Sequence, residues 1–187
     1  MNTLVNENLK VSGDHIVQTL AKGSSREYFD FVAKIRASIG NVSGAKLREM
    51  IAEFNRQFAV WERVTENIVP TVARAALAEA WSGQAAALAD VEVDTQVIGT
   101  GTTTPANGDT ALETQTDSKT IASQSVNSNQ AFNTAIWLAG DLNGTYYEHG
   151  LLINGSVLAS RVLLNSPSGI AVGATDTLTV EFRHTFT

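Results

Sequence analysis

The apolar positions of this chain change period near its middle. From Ser25 onward Tyr28, Phe29, Phe31, Val32, Ile35 and Ile39 recur at helical spacing, and the run stops at Gly40. That predicts a helix capped by Ser24-Ser25. After the turn Asn41-Val42-Ser43-Gly44 a second helix is expected over about 45–66, with Leu47, Met50, Ile51, Phe54, Phe58, Trp61, Val64 and Ile68 as its apolar positions. Pro70 suits the first turn of a third, Ala-rich helix over Thr71 to Trp81, stopped by Gly83. Residues 1–23 have only weak periodicity, compatible with a short helix near 14–21 or with an extended arm.

Beyond Ala89 the period falls to two. Val91, Val93, Thr95 and Val97 alternate with polar residues, and strands are expected at about 119–126, 130–138, 145–153, 156–164 and 176–186. Turn-prone residues separate them. Asn154-Gly155, between Leu151-Leu152-Ile153 and Val157-Leu158, is the strongest hairpin signal. The expected fold is α+β: an N-terminal helical region of about three helices, followed by an antiparallel β-sandwich or small barrel. The expected division is 1–84 as a helical anchoring and oligomerisation region and 85–187 as an acidic, Thr-rich β domain able to stay folded without residues 1–66.

Charge reinforces that division. Residues 1–84 carry ten Lys/Arg against nine Asp/Glu, a net of +1, whereas 85–187 carry three against ten, a net of −7. An acidic β half repels nucleic acid, so no nucleic-acid partner is expected. No run approaches the roughly 18–20 apolar residues of a membrane span, and no secretory signal is visible at the start of the sequence. The absence of cysteine removes disulfides, thiolate zinc sites and a cysteine nucleophile.

At the seam lies Val97-Ile98-Gly99-Thr100-Gly101-Thr102-Thr103-Thr104-Pro105-Ala106-Asn107-Gly108-Asp109-Thr110-Ala111-Leu112, which resembles a phosphate-gripping loop at first sight. It lacks the lysine and following helix of a Walker loop, and the third glycine and βαβ setting of a dinucleotide fingerprint. A structural loop is the expectation. Asp90, Glu92, Asp94, Asp109, Glu113 and Asp117 could attract a cation, but their spacing is not that of an EF-hand and a solvated face is the default. Adjacent strand residues Glu148 and His149 point to opposite faces and so cannot readily share a metal. No nucleophile elbow is present; only a pocket gathering His149, Glu148 and Asp141 would favour an enzyme. No catalytic, cofactor or metal residues are therefore assigned.

Four segments, taken in order, resemble a module of virion proteins of tailed bacteriophages, found in tail-fibre, collar and baseplate-associated proteins. They are the loop Ile98–Glu113, the Glu-x-Gly-Leu strand of Tyr147–Leu152, the Leu-x-x-Arg strand of Leu158–Val162, and the closing strand Asp176–Phe182, preceded by a helix within Asn67–Gly83. The match spans roughly 67–187. The resemblance implies a non-enzymatic β-sandwich, made in the bacterial host cytoplasm and incorporated in the virion, that assembles with itself as a trimer or other symmetric oligomer and with other virion proteins. Residues 1–66 depart from that pattern, so a head-decoration (cement), neck or baseplate subunit is an equal expectation to a fibre, and a carbohydrate- or receptor-binding tip is the alternative; a host glycan partner has no support in the residues. On this reading Leu47, Phe54, Phe58 and Trp61 form an interface, and Arg161 pairs with a carboxylate such as Glu148.

Overall fold

The computed structural model describes residues 11–23, 25–65, 68–83, 91–165 and 167–186. Its elements are β1 (Val11–Ala21), α1 (Arg26–Ser38), α2 (Gly44–Phe58), β2 (Ala59–Thr65), α3 (Thr71–Trp81), β3 (Val93–Gly99), β4 (Gln115–Thr120), β5 (Ser123–Asn127), β6 (Gln130–Trp137), β7 (Gly144–Tyr146), β8 (Glu148–Ile153), β9 (Val157–Leu163), β10 (Ile170–Val172) and β11 (Thr177–Phe186). A five-stranded sheet in the order β2-β1-β11-β6-β5 faces a four-stranded sheet in the order β4-β3-β8-β9, and β10 pairs with β7. Every strand pair among the described residues is antiparallel. The fold is α+β, with a sandwich-like arrangement of sheets.

Three apolar clusters stack through the molecule. Between the sheets lie Ile16, Leu20, Ile98, Trp137, Leu151 and Phe182. On the outer face of the five-stranded sheet, Tyr28, Val32 and Ile35 of α1 and Leu47, Ile51 and Phe54 of α2 cover Ile136 and Leu138. On the outer face of the four-stranded sheet, Val97, Leu112, Leu152 and Leu158 form a third cluster against which Val72 of α3 packs. The helical stripes read from sequence supply the second cluster. Their caps are Ser25, whose side chain accepts from Tyr28 N at 3.1 Å, and Ser43, which accepts from Lys46 N at 3.3 Å. The buried Tyr28 hydroxyl ties α1 to the start of β11 through Thr177 Oγ1 at 2.7 Å and Thr175 O at 2.9 Å.

Three expectations need correction. Residues 11–21 are neither a helix nor a free arm but an interior strand, paired with β11 over Val11–Phe186 to Ala21–Thr177 and with β2 on its other side. The second helix ends at Phe58, and Ala59–Thr65 is a strand. Val60, Trp61, Val64 and Thr65 are β-branched or aromatic, and a free edge of β1 is available to pair with them, so tertiary pairing prevails over the heptad-like spacing. The five-stranded sheet therefore draws β1 and β2 from one side of the expected 84/85 boundary and the rest of its strands from the other. The expected strand at 119–126 is also two strands, with β4 in one sheet and β5 in the other.

Candidate functional site

The Gly-Thr loop joins β3 to β4 and crosses the outer face of the four-stranded sheet, where Thr71 N of α3 donates to Asn107 O at 2.9 Å. Its backbone does grip an anion, and that anion is the protein's own Glu148 carboxylate. Glu148 opens β8, paired with Gly99 on one side and Leu163 on the other, and is fully buried. Its Oε1 accepts from Gly101 N at 3.0 Å and Thr114 N at 2.6 Å, and its Oε2 from Glu113 N at 2.9 Å. Convergent backbone N–H groups favour negative charge for the same reason in a phosphate loop.

The two glycines at the loop's entrance are explained by this carboxylate. A Cβ on Gly101 would sit 2.3 Å from Glu148 Oε1, and one on Gly99 would sit 2.7 Å from the same oxygen and 2.3 Å from Thr114 O. Glycine is required at both places for close backbone approach.

Arg161 of β9 closes the arrangement from the side. Its side chain is 3 % exposed, and it donates from Nε to Glu148 Oε2 at 3.0 Å, from Nη1 to Asp109 Oδ2 at 2.7 Å, and from Nη2 to Thr103 O at 3.2 Å and Thr103 Oγ1 at 3.1 Å. Desolvation alone would lower the pKa of this guanidinium, but Asp109 and Glu148 outweigh it and hold the group above its ordinary value. Two further carboxylates brace the loop from within. Glu113 Oε2 accepts from Thr102 N at 2.7 Å and Thr103 N at 2.8 Å, and Asp109 Oδ2 accepts from Ala106 N at 2.9 Å. The Thr103 N–H is the largest influence holding Glu113 below the usual carboxylate range. For Asp109, burial pushes upward, but the Ala106 N–H and Arg161 prevail and its pKa is lowered.

The expected pairing of Arg161 with Glu148 is present. The roles of Asp109 and Glu113 were not read from sequence, although the loop's dense glycines were a signal of close backbone approach. The pocket that would have favoured an enzyme does not form. Glu148 faces the loop, whereas His149 points between the sheets, its ring 5.3 Å from that of Trp137 and 5.2 Å from that of Phe182. Asp141 is elsewhere, bound to Lys119 Nζ at 2.7 Å and Leu138 N at 2.9 Å.

The acidic residues also separate. Asp94 accepts from Gly155 N at 2.8 Å and Asp117 from Trp137 Nε1 at 3.0 Å, while Asp90 lies outside the described residues. Among the described residues no three His, Asp or Glu side chains are grouped to hold a metal, and no helix among them is long and apolar enough to cross a membrane.

The four expected interface residues do not share a surface. Leu47 and Phe54 are 1 % and 0 % exposed within the chain's own core. Phe58 packs on the rings of Tyr28, Phe31 and Phe54. Trp61 sits on β2, half-buried against the inter-sheet cluster. The seven-residue recurrence that grouped them crosses from helix into strand, where side chains follow a different period.

No family model matches the chain, and no significant match to it was found among curated proteins or solved structures.

Proposed function

We propose that this protein is a non-enzymatic structural component of a tailed-bacteriophage virion, assembling through protein–protein contacts at the tail, fibre or baseplate or on the head. One observation carries the reading. Gly99, Gly101, Asp109, Glu148 and Arg161, which come from three separate segments of the phage-like pattern, all belong to the network centred on Glu148. A chance likeness of composition gives no reason for those positions to meet. The fourth segment, within β11, lies in the facing sheet and supplies Leu178, Val180 and Phe182 to the inter-sheet cluster.

The chemistry of the network favours architecture over turnover. Its carboxylates and guanidinium are engaged with one another and with backbone N–H groups, and Glu148 is sealed from solvent. Such a clasp rigidifies a loop without presenting a nucleophile or a general base to a substrate.

The test is proteomic and microscopic. Particles purified from cells carrying the gene are expected to contain the chain at a fixed ratio to the major head protein, and antibody labelling then places it on head or tail. A chain abundant in the lysate but missing from washed particles would overturn the proposal.

A further inference from the structure

The sequence placed self-association on the α2 stripe, which the core consumes. Exposed apolar surface appears one element later. Among the described residues β2 is a terminal strand of the five-stranded sheet, paired with β1 on one side only. Val60 and Val64 are 55 % and 54 % exposed, and Ala59 and Glu62 are exposed as well. An edge strand with accessible valines is a template for a further strand, and proteins block such edges with charges or proline. Here the outward-facing charge on the edge is Glu62.

We infer that β2 pairs antiparallel with β2 of a second copy of this chain, about a two-fold axis passing through Glu62, so that two five-stranded sheets continue into one. Residues directly opposite in an antiparallel pair lie on the same face of the sheet. An axis at Glu62 then sets Val60 against Val64 of the second copy, twice, and Trp61 against Arg63. Moving the axis to Trp61 sets Val60 against Glu62, and moving it to Arg63 sets Val64 against Glu62. Only the central register pairs both valines with valine, and this palindromic order favours a second copy over an unrelated strand.

The central register also brings the two Glu62 carboxylates together, which by itself is unfavourable. Arg56 lines the same groove as Glu62, between α2 and the sheet. Arg56 is itself ion-paired with Glu53 on α2, so each copy brings it to the groove already partnered. The other two arginines of the groove, Arg48 and Arg183, are held by Glu181 at 3.0 and 2.8 Å. The pairing stands apart from the virion reading, because a protein never found in a particle can still dimerise through β2.

The test uses the full chain. Light scattering is expected to give twice the 19.9 kDa monomer mass. Val60→Lys and Val64→Lys, each acting twice across the axis, are expected to weaken association by about tenfold or more, with unchanged circular dichroism because both sites are exposed. The chain has no cysteine, so the register can be read by oxidation. A mixture of Val60→Cys and Val64→Cys chains should cross-link, Glu62→Cys should cross-link alone, and neither valine variant should do so alone. A wild-type monomer throughout the micromolar range would overturn the inference. So would an oligomer indifferent to both lysine variants, or Val60→Cys cross-linking with itself as readily as in the mixture.

Discussion

Arg161 on β9 reaches diagonally across to Glu148 on β8, its Nε 3.0 Å from Glu148 Oε2, and both side chains are withdrawn from water. Around that pair the loop from Gly99 to Thr114 is wound like an anion-binding loop whose anion is supplied by β8, the strand beside β3 in the sheet. The likeness to a phosphate cradle therefore has a physical basis. Dense glycine and convergent N–H groups report that an anion is gripped, not which anion it is.

Removing each partner of the pair should have unequal effects. Glu148→Ala leaves three backbone N–H groups without their acceptor and a buried guanidinium with Asp109 as its remaining carboxylate. A loss of about 3–5 kcal/mol is expected, as for other broken buried pairs. Arg161→Ala leaves Glu148 its three N–H donors and should cost less. Urea denaturation of the two variants checks the order, and an equal or reversed order would show that the N–H groups contribute little.

Gly101→Ala should destabilise by about 1–3 kcal/mol, the usual range for overpacking. The added methyl meets Glu148 Oε1 at 2.3 Å and Glu113 Cβ at 2.5 Å. Because the nearer clash is with Glu148, the penalty should shrink by more than about 1 kcal/mol when measured in a Glu148→Ala background, a coupling typical of residues in contact. Additive penalties in the double variant would refute the close-approach explanation.

Acid should destabilise the fold through His149. Burial between the sheets lowers its pKa from 6.5 to about 3. The unfolded chain thus binds a proton at this site over a range where the native state does not, and stability falls as pH drops from 6.5 toward 3. The slope should approach about 1.4 kcal/mol per pH unit below pH 6. Asp109, Glu113, Asp141 and Glu181 have lowered pKa values, so their contributions are present above the unfolded values of 3.8 and 4.5 and are lost below them. The window from pH 6.5 to 5 lies clear of these carboxylates. His149→Leu should flatten stability there, as read by denaturant midpoints across pH, and an unchanged slope would refute the assignment.

Helices α1 and α2 were legible because each buries one face at a regular period. The β-domain strands were legible because turn-prone residues separate short apolar runs, although β6, β8 and β9 are buried on both faces. The Asn154-Gly155 hairpin was legible because its turn needs positive φ, observed at 50° and 62°. β1 was hidden because Gln18 interrupts the inward-facing series of Ile16 and Leu20 with a fully buried amide. β2 was hidden because Trp61 continues a heptad begun by Leu47 and Phe54. Within the site, the Glu148–Arg161 pair was accessible because Arg161 is one of three cations among ten carboxylates in that half and must find a carboxylate. The positions of Asp109 and Glu113 depend on how the loop folds back on itself, which no periodic pattern encodes.

The placement of β1 changes what truncation should do. A chain beginning at residue 67 keeps every segment of the phage-like pattern, and sequence alone expects that piece to fold. In the structure β1 lies between β2 and β11, and its ten-pair register covers β11 almost end to end. Deleting residues 1–66 would open the whole β1-facing edge of β11, remove Ile16 and Leu20 from the inter-sheet cluster, and uncover Ile136 and Leu138 beneath α1 and α2. An interior strand and a covering layer are worth far more than the roughly 5–15 kcal/mol that hold a domain folded. The 67–187 fragment should therefore be expressed insoluble or unfold without a cooperative transition. A sharp thermal transition and a dispersed amide spectrum from that fragment would show that the β half folds alone.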